Sequence, residues 1–415
     1  MLLFSAIEES GDNFSSTNGH AKASTPKRCF GLNNSSTLSR LKSLCSQGAG
    51  EKDFPYSSAI AENIPVYDLS QFSASDKELV SALQDTWHEV LHNGPGVFVL
   101  KAFYPKDSLI TIDKSNETFD SIIAAEASLS RGDHFAASEA NSRIWNSLQK
   151  HALTDPASFL AYYSNPWIKH VSEAWLGPDY TVTAQVNIVR PGGKPQMPHR
   201  DYHLGFQTAE QCARWPKTMH AVSQFLTLQG AVAHSDMPLE SGPTRFLPFS
   251  QLLEEGYMAW RTDEVKDYFA DRWVSLSLNK GDAVFFNPAL LHAAGENETS
   301  PGPNGIDRSA NLLQISSAFG KTMEAIDHDS MVDACWDELA QCMREETLDA
   351  LEIECAVRAM TEAYPFPTNL DRRPPAPGGM APESQTDLVL RCLKEGKSKQ
   401  EVMQVLKEYK ESSSG

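Results

Sequence analysis

The spacing of apolar positions divides the chain into segments of different texture. Over residues 1–55, Ser, Asn, Thr, Gly and Lys predominate and apolar residues keep no period, which predicts a disordered N-terminal segment. The short apolar run Ile64-Pro65-Val66-Tyr67-Asp68-Leu69 reads as a strand that opens the folded part. Ser75 with Glu78 predicts a capping box for a helix reaching about His92. Asn93-Gly94-Pro95-Gly96 then turns the chain into the strand Val97-Phe98-Val99-Leu100. Residues 105–175 read mainly as helices, with a polar connector around Arg131-Gly132-Asp133-His134.

From Thr181 the period shortens to two. Residues 181–189 alternate and are β-branched, and further strands are predicted at 221–232, 244–247, 273–278, 283–286 and 312–317. Turn residues separate many of them, and 250–272 reads as a helical insertion. The pattern predicts a mainly β core with α additions, an antiparallel double-sheet barrel such as a jelly roll. After Gly320 the pattern is helical to about Tyr364. A Pro-rich linker over 365–382 and a helical C-terminal tail over 383–415 follow. Ser398 and Glu401 predict the cap of the last helix, and its solvated faces suggest a docking appendage.

Charge and cysteine usage narrow the function classes. The 415 residues carry a net charge of −18, which argues against a nucleic-acid partner, whose phosphates need a basic face. No stretch is apolar enough for a membrane span. The seven Cys are odd in number and form no Cys-x-x-Cys pair, so a disulfide framework or zinc site is not expected and a cytoplasmic location is. Residues 40–48 nearly match an N-terminal peroxisomal targeting signal, with Gly48 where Leu or Ala is wanted. Peroxisomal location is therefore the alternative.

The candidate chemistry lies in the β-rich stretch. His199 and Asp201 sit two apart behind Pro195-Gln196-Met197-Pro198, which holds the backbone extended, so both side chains share one face. His292 follows Phe285-Phe286-Asn287-Pro288, a strand running into a turn, and a barrel brings it opposite. Two imidazoles and one carboxylate can hold one face of a ferrous ion and leave the other open. Arg308, after a Pro/Gly-rich loop, can clamp the distal carboxylate of an organic co-substrate. A bare His-x-Asp is common, and a surface ion pair with Asp307 is the plain alternative for Arg308.

Pro198-His199-Arg200-Asp201-Tyr202-His203, Ser241-Gly242-Pro243-Thr244-Arg245-Phe246-Leu247-Pro248, Lys280-Gly281-Asp282-Ala283-Val284-Phe285-Phe286 and His292-Ala293-Ala294-Gly295-Glu296-Asn297 resemble the signatures of the phytanoyl-CoA dioxygenase family. The resemblance is strongest over about 181–320 and extends more loosely from Ile64. It implies a double-stranded β-helix flanked by helices, in an oxygenase domain over 56–364. It implies Fe(II) held by His199, Asp201 and His292, with 2-oxoglutarate on Arg308, Thr244 and Gln196. It further implies O2 as co-substrate, ascorbate as a supporting reductant, and release of succinate and CO2 as a small organic substrate is hydroxylated. Asp201 marks a departure from related halogenases, which lack that carboxylate.

The substrate is less legible. A hydrophobic acid, an acyl-CoA and a specialised metabolite all fit. Tyr202, His203, Phe206, Trp215, Met258 and Trp260 flank the site and are candidate pocket residues. Arg200, Arg214, Lys217 and Arg245 are the cations available for CoA phosphates. Two other readings stay open. One is a cupin-like metalloenzyme without 2-oxoglutarate, using His203 and His234 as further ligands. The other is an inactive barrel acting as a binding protein.

Overall fold

The computed structural model describes residues 27–32, 37–126, 141–375 and 377–414. The predicted connector around residues 131–134 lies outside them. Among the described residues ten strands form: β1 (Ala59–Ala61), β2 (Ile64–Asp68), β3 (Val97–Lys101), β4 (Asn141–Ile144), β5 (Thr181–Val189), β6 (Thr227–Ala233), β7 (Arg245–Leu247), β8 (Ala283–Phe286), β9 (Leu291–Ala293) and β10 (Arg308–Ser316). Eight make one sheet in the order β1-β2-β3-β8-β6-β10-β5-β4, and β7 pairs with β9. All pairs are antiparallel except β2 with β3.

Isolated bridges widen the small sheet, joining His199 to His292 on one side and Phe246 to Val274 on the other. Phe246 of the small sheet shares an apolar cluster with Val99, Ala231, Val284 and Phe286 of the large one. The two inner faces therefore meet as in a jelly roll. The outer face of the large sheet is sealed by helices. Trp87, on the helix Lys77–His92, stacks on Phe98 of β3 with ring centroids 5.7 Å apart. Burying side chains of this kind stabilises by roughly 1.5–3 kcal/mol each. The result is a β core with helical additions, as the strand spacing predicts.

Several elements differ from the sequence reading. The helix at residue 77 is capped by Asp76, whose carboxylate accepts from the Leu79 N–H at 3.2 Å, and not by Ser75. The strand expected over 221–232 begins as the helix Lys217–Ser223 and becomes β6 only from Thr227. Residues 273–278 form only bridges, at Val274 and Leu278. β4 was hidden because its partner β5 lies some forty residues away and its own sequence, Asn-Ser-Arg-Ile, is polar.

The expectation of disorder through residue 55 is corrected for residues 37–55. The helix Thr37–Leu44 buries Leu41 against Leu247, Leu253 and Phe269. Arg40 pairs with the buried carboxylate of Glu255, to which the Thr37 hydroxyl also donates at 3.1 Å. Three apolar side chains and one buried acid supply contacts that composition alone does not show. The near-match to a targeting signal thus lies partly on a packed helix.

The tail is likewise part of the main core. Helices Gln385–Lys394 and Lys399–Ser413 bury Leu388, Val389, Cys392, Val402 and Leu406 in the same cluster as Trp336 and Val357. Ser398 and Glu401 form the predicted capping box. Among the described residues, no helix is long and apolar enough to cross a membrane.

Candidate active site

His199 and His292 face each other across the edge of the small sheet, each N–H donating to the other's carbonyl at 3.0 and 3.1 Å. This bridge fixes both backbones, so the two rings lie 4.4 Å apart. Asp201 sits between them, Oδ1 3.7 Å from His199 Nε2 and Oδ2 3.7 Å from His292 Nε2. One ligand atom from each residue lies within 4.8 Å of the others. The Nδ1 atoms are taken up elsewhere. That of His199 is 2.8 Å from the Met197 carbonyl and that of His292 is 2.9 Å from the Leu290 carbonyl. A carbonyl only accepts, so each Nδ1 donates and each Nε2 lone pair points at the common centre.

Electrostatics favour the ligand forms. Burial opposes ionisation of Asp201, but the His199 and His292 imidazoles and the Gln229 amide outweigh it and hold the carboxyl well below the usual carboxylate range. Gln229, on β6, donates to Asp201 Oδ2 at 2.7 Å. Burial, and then the adjacent His292, lower the pKa of His199, which keeps it neutral.

Arg308 begins β10 and is buried on the wall of the same cavity. Its Nη1 donates to the carbonyls of Ser241 and Gly295 at 3.2 and 3.3 Å. Among the described residues it has no carboxylate partner. The ion pair with Asp307 does not form, since Asp307 lies 3.8 Å from Arg190 instead. Burial, then Arg245, pull the Arg308 pKa down to about 10, so it remains a cation at neutral pH. The Ser241 carbonyl reaches it because Gly242 turns with φ 73°, where a Cβ would stand 2.1 Å from the Glu296 carbonyl oxygen.

The cavity has a volume of about 640 Å³. Thr244 and Gln196 both line it, with Gln196 Oε1 accepting from the Ala294 N–H at 3.2 Å. Phe206 and Trp260 line it too. Four other candidates do not. Tyr202 turns inward to donate to Gln314. His203 takes φ 41° and faces away, and Met258 packs beside Leu204 and Cys212. Trp215 is carried to the surface, where its indole N–H donates to Gln207. His234 lies behind the sheet, bonded to Tyr162 and Asn116. Among the described residues the cluster therefore offers three candidate ligands, without the extra imidazoles that the cupin-like reading requires.

The sequence reading missed most of one wall. Asn141, Arg143 and Trp145 come from β4 and its end, and Gln185 and Asn187 from β5. The last two were detectable, because Thr181, Thr183, Gln185 and Asn187 alternate with apolar residues along β5 and so mark one polar face. The cations proposed for CoA phosphates are largely committed. Arg200 is buried against Tyr257 and bonded to the Ser250 carbonyl, Arg245 stacks on Trp273, and Lys217 covers Phe30.

A family model for phytanoyl-CoA dioxygenase matches residues 74–302, more than half of the chain. The chain belongs to the phytanoyl-CoA dioxygenase family. The His199, Asp201 and His292 cluster lies inside the matched span. The dioxygenase andF of Emericella variicolor is 26% identical over 153 residues, or 35% of this chain and 47% of that protein. The chain therefore matches about half the length of that relative. Among solved structures, the non-haem alpha-ketoglutarate-dependent carbocyclase SnoK from nogalamycin biosynthesis is 18% identical with a TM-score of 0.41, over 60% of this chain and 87% of its own. AviO1 from Streptomyces viridochromogenes Tue57 is 16% identical with a TM-score of 0.38, over 55% and 92%. Superposition at this level is loose, and the fold rests on the strand pairing above.

Proposed function

We propose that this member of the phytanoyl-CoA dioxygenase family hydroxylates a small organic substrate using Fe(II), 2-oxoglutarate and O2, with ascorbate as a supporting reductant. The observation that carries this reading is the buried Arg308 guanidinium, without a carboxylate partner, on the wall of the cavity that holds the two imidazoles and Asp201. A buried cation in that position calls for an anion from outside the chain.

The donor set fits a ferrous ion: two imidazole nitrogens and one carboxylate, with ring orientation fixed by main-chain carbonyls. When bound, iron and 2-oxoglutarate supply the oxidation, in which O2 converts 2-oxoglutarate to succinate and CO2 and leaves one oxygen atom as the hydroxyl of the substrate. The residues do the positioning. Arg308 pairs with the distal carboxylate, and Thr244 adds a hydroxyl from the same wall. Gln196 holds the turn that carries His199 and offers an amide near the metal. Gln229 orients Asp201, while Phe286, 4.8 Å from the His292 ring, excludes water from one side.

The test is succinate formation from 2-oxoglutarate by anaerobically purified, iron-loaded protein after air is admitted. Iron-dependent succinate that disappears in Asp201→Ala is expected. Bound iron without succinate across a broad substrate library would overturn the proposal.

A further inference from the structure

Successive side chains of an extended segment alternate, so Arg200 leaves the chain on the side opposite its neighbours His199 and Asp201. It runs into the segment 250–257 and is buried there. Its Nη2 donates to the Ser250 carbonyl, and its Cζ stands 5.4 Å from the centre of the Tyr257 ring. Its Nε has no partner among the described residues. The nearby Glu255 carboxylate is already taken by Arg40 and by the Thr37 hydroxyl. A well-packed apolar side chain would fill this space with less loss of hydration. The contribution of the guanidinium therefore lies in geometry rather than in stability.

Ser250 is fully buried and holds both ligand-bearing segments at once. Its carbonyl accepts from Arg200, next to His199, and its hydroxyl accepts from the Leu291 N–H, next to His292, at 2.8 Å. The main-chain bridge between His199 and His292 closes the ring. The Tyr257 hydroxyl adds a third anchor, donating to the Asp201 carbonyl at 3.0 Å. Each of the three ligands is thus tied, directly or through the residue beside it, to the segment 250–257. Gly256 makes room for this arrangement. A Cβ there would stand 1.8 Å from the Arg200 Cζ, although the backbone is helical and would otherwise favour alanine. Resting on the metal site proposed above, we infer that Arg200 is a positioning residue: clamped between Ser250, Gly256 and Tyr257, it sets the spacing of His199, Asp201 and His292 and so the affinity and geometry of the bound metal.

The test titrates cobalt(II) into full-length, metal-free protein under anaerobic conditions. The visible spectrum of the bound cobalt reports coordination geometry, and thermal unfolding of the metal-free proteins reports the fold separately. Arg200→Met keeps the apolar stem but ends where the guanidinium begins. It is expected to weaken cobalt binding by about 10- to 100-fold and to change the spectrum. Gly256→Ala, which pushes the guanidinium off Ser250, is expected to do the same. In the Arg200→Met background the added methyl has room, so Gly256→Ala there is expected to change affinity by no more than about twofold. Wild-type affinity and spectrum in either single variant would overturn the inference, as would a Gly256→Ala loss of equal size with and without the guanidinium. Should Arg200→Met not fold, Gly256→Ala alone decides the case. Failure of wild-type protein to bind cobalt, or retention of binding in His199→Ala, would instead overturn the metal site on which the inference rests.

Discussion

Two histidine clusters sit on opposite sides of the large sheet, and their hydrogen bonds separate them. Behind the sheet, His234 Nδ1 is 2.7 Å from Asn116 Oδ1 and Nε2 is 2.9 Å from the Tyr162 hydroxyl. Asn311 of β10 closes the group by donating to Tyr162 and Tyr163 at 3.2 and 3.1 Å. Both His234 nitrogens are spent inside the protein. Inside the barrel, His199 and His292 spend only Nδ1, on carbonyls two residues back, and aim Nε2 at a shared centre. Burial is similar for His234 and His292, at 2% and 5% exposed. What differs is whether a lone pair is left over, and that is what makes a histidine available to a metal.

The sharpest way to break this comparison is to remove one open imidazole. His199→Ala should lose iron from the purified protein and take succinate formation below detection, while thermal unfolding changes little. Retained iron would mean that the triad is not the metal site. Arg308→Ala comes next. Truncating one member of a buried ion pair costs about 3 kcal/mol, so the 2-oxoglutarate requirement should rise roughly a hundredfold with iron stoichiometry intact. An unchanged requirement would show that Arg308 does not hold the co-substrate. Gln229→Leu should sharpen the picture further. Loss of a hydrogen bond to a ligating carboxylate lowers metal affinity by about 10- to 100-fold, readable in an anaerobic iron titration. A smaller change would make the 2.7 Å contact incidental.

Sequence and structure agree where the signal is local. His199 and Asp201 share a face because a Pro-flanked extended segment puts residues two apart on one side, and the bridge to His292 completes what the strand-turn context suggested. Arg308 was legible because it opens an apolar strand after a turn-rich loop. The cavity wall built by β4 and β5 was not, since β4 joins β5 by long-range pairing, with Arg143 opposite Asn187. Proximity in sequence also misled. Tyr202 and His203 adjoin Asp201 yet do not line the cavity, because Tyr202 turns to donate to Gln314 and His203 takes φ 41°. The buried contacts of residues 37–55 escaped notice for a related reason: Leu41 and Glu255 meet across more than two hundred residues.

The closed cluster makes the smallest and most specific prediction. Burial, then the charges of His151 and Lys280, push the His234 pKa down to about 3, against about 6.5 in an unfolded chain. Above pH 6.5 the ring is neutral in both states and its contribution to stability is fully present. As the pH falls below 6.5 the unfolded chain takes up a proton that the native ring refuses, so stability drops by about 1.4 kcal/mol per pH unit until about pH 3. His151, lowered by burial to about 4, adds a second slope of the same sign over a narrower range. His234→Gln retains an acceptor for the Tyr162 hydroxyl but cannot titrate. Urea midpoints measured from pH 7.5 to 4.5 should therefore fall less steeply in the variant than in wild type, with iron affinity at pH 7.5 the same in both. Equal slopes would mean that His234 gains its proton as readily in the fold as outside it, and the contrast between a closed histidine and an open pair would lose its physical basis.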